Sequence, residues 1–120
     1  METLLHERHR ITEIEKDYSF NKLSKEELLR FLANKNSLSI IPVFHDIAQY
    51  IQQEFDNNVK LELKVVADPE NHNFEEIFIY LHSSLSNEEI SAKHDKVLSW
   101  YVKSIHRNIP PIVNISPVFN

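Results

Sequence analysis

Residues 59–82, VKLELKVVADPENHNFEEIFIYLH, decide the fold. Val59, Leu61, Leu63 and Val65 alternate with Lys60, Glu62 and Lys64, the period of two expected of a strand with one buried and one wet face. The string ADPENHNF that follows is made of turn formers and suits a hairpin with an extended acidic loop. A second strand is expected from Glu75 to His82, with Ile77, Ile79 and Leu81 on one face and Phe78, Tyr80 and His82 on the other. Its second face carries enough aromatic surface to be either covered or used for contact.

Upstream of the hairpin the period changes. Ile40, Phe44, Ile47, Ile51 and Phe55, widened by Ile41 and Ala48, recur at three- and four-residue spacings and predict an amphipathic helix. Pro42 fits only in its first turn, where the missing N–H has no intrahelical acceptor to lose, so the helix starts near Ser39. An earlier helix is expected from Ser24, which forms a capping-box spacing with Glu27, through Ala33, burying Leu28, Phe31 and Leu32. Residues 1–20, with Leu4, Leu5, Ile11 and Ile14 in a charged setting, read as a short helix or arm ahead of a single domain over 21–120.

Downstream, Ser86 and Glu89 repeat the capping-box spacing. A helix follows with Ile90, Val97, Leu98, Tyr101, Val102 and Ile105 as its apolar stripe, ending near Arg107 before the Pro110–Pro111 pair. In the uncharged tail NIPPIVNISPVFN, Val113 and Ile115 alternate with Asn114 and Ser116 as a short strand would, and Pro117 puts that strand at an edge. The order α-α-β-β-α-β predicts an α+β, two-layer domain with a small, mostly antiparallel three-stranded sheet and helices packed on one face. A helix between the second and third strands makes those two parallel if they share a sheet.

With 120 residues, 42 % hydrophobic and 26 % charged, the chain has the size and composition of one folded domain. It contains no glycine. Phosphate cradles of the Walker and GxGxxG types, which depend on glycine, are therefore excluded. The absence of cysteine rules out disulfides, thiolate metal sites and a cysteine nucleophile. Residues 1–19 contain no apolar h-region, and no run approaches the 18 apolar residues of a membrane span, so a cytoplasmic protein is expected. The net charge of −5 is concentrated in residues 52–76, and no basic stripe marks a nucleic-acid binder.

Several constellations could carry chemistry. His6 and His9 share a helical face, but HERH lacks the spacing of the HExxH metalloprotease motif. Asp68, Glu70 and His72 alternate in the loop and could converge on a divalent ion, which yields one functional alternative, a small metal-dependent hydrolase using His72 and nearby carboxylates. His94, Asp95, His106, Glu75 and Glu76 supply acid/base groups that nothing in the sequence places in one pocket. Lys93, Lys96, Lys103 and Arg107 could line one helix as a basic patch, the weakest alternative.

The aromatic residues are the better lead. Phe78 and Tyr80 on the second strand, with Trp100 and Tyr101 on the last helix, exceed what one core stripe uses, and aromatics are enriched where proteins bind one another. Asp68, Glu70, Glu75 and Glu76 add an acidic surface suited to a basic partner.

The stretch VKLELKVVADPE…EEIFIYLHSSLSNEEISAKHDKVLSWYV resembles a group of small, largely uncharacterised bacterial proteins, over residues 38–120. They share a strand ending in V-x-DPE, a second strand ending in a polar triplet, and an acidic-start helix with an aromatic pair. Asp68, Pro69 and Glu70 match the turn and Trp100 and Tyr101 the pair, whereas IPP replaces a small or glycine-containing linker before the last strand. The resemblance implies membership of small two-gene cassettes, some with antitoxin-like roles, and transfers no catalytic motif. The expected function is a non-enzymatic module that binds another protein or its own copy through the aromatic face and the uncharged C-terminal segment, with no cofactor, no metal and no membrane contact.

Overall fold

In the computed structural model, residues 12–20, 25–28, 40–67, 75–104 and 112–119 are described. Ile40–Glu54 forms the first long helix, α1, and Pro42 sits exposed in its first turn as its missing donor requires. Val43, Phe44, Ile47, Ala48 and Ile51 are buried along one side, and Phe55 continues the stripe just beyond the last turn. Val43 widens the face that the periodicity outlined.

Two consecutive left-handed residues close α1, Asp56 (φ 51°) and Asn57 (φ 63°). The Asn57 N–H reaches back to the Gln52 carbonyl at 2.8 Å and the Asp56 N–H to the Gln53 carbonyl at 3.3 Å, the paired bonds of a Schellman cap. Glycine normally occupies such positions. Here Asp and Asn, the residues that best tolerate this region after glycine, make the turn instead.

The strands are β1 (Val59–Ala67), β2 (Glu75–Ser83) and β3 (Ile112–Val118), in spatial order β1-β2-β3. β1 and β2 are antiparallel, with Leu63 opposite Ile79, and β2 and β3 are parallel, with Ile79 opposite Ile115. The sheet is therefore mixed, and the parallel pair is the one that the intervening helix demands. Within this register Val65, Ile77 and Val113 form one buried row and Leu63, Ile79 and Ile115 the next.

Asn87–Lys103 forms the second long helix, α2. Its N-cap is Ser86, whose hydroxyl accepts the Glu89 N–H at 3.2 Å and donates to the Glu89 carboxylate at 3.1 Å. Ile90 and Val97 are buried, while Leu98, Trp100 and Tyr101 pack half-buried against the same core. Two expectations fail here. Val102 is 53 % exposed and belongs to no core stripe, and the helix ends at Lys103, where extended Ser104 turns its N–H onto the Tyr101 carbonyl.

Both helices lie on the Ile77–Ile79–Leu81 side of the sheet, since one hydrophobic cluster contains those residues together with Phe44, Ile47, Ile51, Ile90 and Val97. Lys93 ties the helices together, its ammonium donating to the Glu54 carbonyl at 2.8 Å and lying 6.0 Å from the centre of the Phe55 ring. Ile14 and Tyr18 belong to the same core, as does Leu28 from the helical residues 25–28. The capping hydroxyl expected at Ser24 and the remainder of that helix lie outside the described residues, as do residues 1–11. Among the described residues no helix is long and apolar enough to cross a membrane.

Candidate functional site

With every described helix on one side, the opposite side of the sheet is open among the described residues. Strand alternation and register assign its residues. Lys64, Phe78 and Asn114 form one row, Glu62, Tyr80 and Ser116 the next, and Lys60, His82 and Val118 the third. Phe78 and Tyr80 occupy the centre of this face, half-buried, with their rings nearly parallel (8°) and their centroids 5.9 Å apart. Neither packs against the core. At the far end of the face from the β1–β2 turn, Lys60, His82, Ser84, Asn58 and Val118 help to line a cavity of about 470 Å³. His82 donates through Nε2 to the Glu62 carboxylate at 2.9 Å.

The predicted aromatic set is not gathered on one surface. Trp100 stacks on Tyr50 of α1 (centroids 4.4 Å apart, planes 7° from parallel) and so contributes to the contact between the two helices. Tyr101 is half-buried against the core, and that burial raises the pKa of its phenol. Phe78 and Tyr80 stand on the other side of the sheet from both. Of the acidic residues, Glu75 and Glu76 are placed by their backbone at the start of β2, opposite Ala67 and Val66. Asp68, Glu70 and the alternative ligand His72 lie outside the described residues. Among the described residues no group of three His, Cys, Asp or Glu could hold a metal ion.

Both edges of the sheet are met in part by the chain itself. On β1 the Ser19 N–H bonds the Leu61 carbonyl at 2.9 Å, the Leu63 N–H bonds the Ser19 carbonyl at 2.8 Å, and the Gln52 amide reaches the Val59 carbonyl at 3.3 Å. On β3, Pro117 is tolerated because its nitrogen, which has no proton to donate, faces away from β2. By alternation the Ile115 backbone faces the same way, and His94 of α2 donates from Nε2 to its carbonyl at 2.8 Å. Ile112–Val118 of the uncharged tail therefore pairs within its own sheet, as an edge strand whose outer side Pro117 and His94 blunt, a protection that sheet proteins need against unwanted pairing.

Sequence reading missed these closures, because Ser19, Gln52 and His94 are distant in the chain from the edges they reach. It also missed Tyr50 as the stacking partner of Trp100. The open face was visible as the alternates Lys60, Glu62 and Lys64 and as Phe78, Tyr80 and His82, but only the strand register brings the two sets into rows. No family model, curated protein or solved structure matches the chain.

Proposed function

We propose that the chain is a non-enzymatic protein–protein interaction module that binds its partner on the open face of the sheet. The carrying observation is the stacked Phe78–Tyr80 pair at the centre of a face that no described helix covers. Half-exposed aromatic side chains bury large area at low entropic cost, the property of interface anchors. With Ser19 on the edge of β1 and His94 and Pro117 on that of β3, recognition runs through side chains on the face rather than through strand addition. Glu75 and Glu76 open β2 at one end, continuing the acidic segment of Asp68 and Glu70, and basic groups of a partner would meet the module there. The antitoxin-like role implied by the resemblance is the form this reading takes if the partner is a basic protein.

The test is retention of partner proteins on the immobilised chain and on its Phe78→Ser/Tyr80→Ser variant, with mass spectrometry of what is held and circular dichroism of both chains. A stoichiometric partner held by the first and lost by the folded variant supports the module. A partner held equally by both, or none at all, overturns it.

A further inference from the structure

We propose, building on the reading of the open face as an interaction surface, that its occupant is a second copy of this chain. The two sheets pack face to face about a two-fold axis that crosses the strands between the Phe78 and Tyr80 rows. Such a dimer sets one patch against itself, so the patch has to complement itself under the rotation.

The register supplies that complementarity. Along β1 the open face reads Lys60, Glu62, Lys64 and Val66, with both lysines exposed and the Glu62 carboxylate part-exposed. Glu62 keeps its negative charge beside His82, so the column alternates in sign. Rotation about the stated axis reverses the strands and exchanges the two central rows. Lys64 of each copy then comes over Glu62 of the other, Phe78 over Tyr80, and Asn114 over Ser116. Two lysine–glutamate pairs thereby flank a cluster of four aromatic rings. Stacked sheets lie about 10 Å apart, a gap that a lysine and a glutamate reaching toward each other can close. Farther out, the Lys60 position falls over that of Val66, next to the start of β2.

Neighbouring arrangements fail on charge or on area. With the axis on the Tyr80 row Glu62 meets Glu62, and with it on the Phe78 row Lys64 meets Lys64, juxtapositions that suppress association. One step beyond the Tyr80 row Lys60 meets Glu62, but Phe78 loses its facing row. An axis along the strands lays the charged column of β1 over Asn114 and Ser116, where no charge answers it.

Three strands about 4.8 Å apart and some 25 Å long give each copy a footprint on the order of 350 Å². Twice that lies below the roughly 1,200 Å² of standard interfaces, which makes this a weak, exchanging dimer.

Sedimentation equilibrium of the full chain from about 10 to 500 µM is the test, with a Kd on the order of 100 µM expected and weakening with salt. Phe78→Ser/Tyr80→Ser should abolish the association. Lys64→Glu and Glu62→Lys, surface changes that leave the dichroism spectrum intact, should each weaken it by about tenfold, because like charges then meet across the axis. Mixed in equal amounts, these two variants should regain the affinity of the parent chain, since every charge at positions 62 and 64 again meets its opposite. A chain that stays monomeric at the top of the range, association that survives Phe78→Ser/Tyr80→Ser, or charge variants that do not recover on mixing overturns the inference. If the chain is monomeric while a different protein is retained in a Phe78- and Tyr80-dependent way, the second copy falls and the module stands; if neither is retained, both fall.

Discussion

The phenol of Tyr18 donates a 2.7 Å hydrogen bond to the main-chain carbonyl of Phe44, and the two rings meet edge to face with centroids 5.9 Å apart. This contact fastens residues 12–20 to α1 and, through the neighbouring Ser19, to the edge of β1. Burial, reinforced by the Asp17 charge, raises the Tyr18 pKa well above its ordinary value.

Stability should therefore fall at alkaline pH. Between the unfolded and the higher folded pKa the native state holds a proton that the unfolded chain has released. The contribution is complete below about pH 10 and drains above it at about 1.4 kcal/mol per pH unit, with Tyr101 acting in the same direction. Tyr18→Phe should cost about 1 kcal/mol at pH 7 through the lost hydrogen bond, yet flatten the alkaline decline. Urea unfolding of both chains at neutral pH and above pH 10 checks this, and parallel pH profiles would refute it.

The left-handed pair that ends α1 yields a second outcome. Asp56→Gly relieves the left-handed penalty but loosens the unfolded chain, for a net gain on the order of 0.5 kcal/mol. Asp56→Val, with a branched side chain in that region, should cost roughly 1–2 kcal/mol. Denaturant midpoints of the two variants must move in opposite directions.

The Tyr50–Trp100 stack joins α1 to α2 on the side of the sheet away from the open face. A double-mutant cycle with Tyr50→Leu and Trp100→Leu should give a coupling of about 0.5–1.5 kcal/mol in stability. Neither change should alter partner retention at the open face, and a loss there equal to that of Phe78→Ser/Tyr80→Ser would place Trp100 in the interface after all.

Edge protection can be removed in two steps. His94→Ala frees the Ile115 carbonyl, and Pro117→Val restores an outward N–H two residues along. The double variant should associate with increasing concentration in light scattering, while each single variant does so less. A double variant with unchanged scattering would show that β3 is guarded by something other than these two residues.

The candidate face rests on the geometry of this chain alone. Much of that face was legible beforehand, because a strand's alternation assigns sides without any knowledge of the fold. Phe78 and Tyr80 had to share a side, opposite Ile77 and Ile79, whatever the topology. The same local logic could not separate Trp100 from them, since a helix stripe wide enough to include Trp100 and Tyr101 says nothing about which side of the sheet the helix will cover.

By itself, the sequence determined the kind of the elements: the period of two over 59–65, the three- and four-residue recurrence over 40–55, and the Ser86–Glu89 cap. These depend on interactions within a few residues, which local order encodes. Tertiary structure alone decided the strand order, the seating of Trp100 on Tyr50, the closure of β1 by Ser19 and of β3 by His94, and the alignment of Lys60 and Lys64 beside Phe78 and Tyr80. Each of these joins groups far apart in the chain, and such pairings are selected by the burial of the whole core rather than by the preference of any one segment.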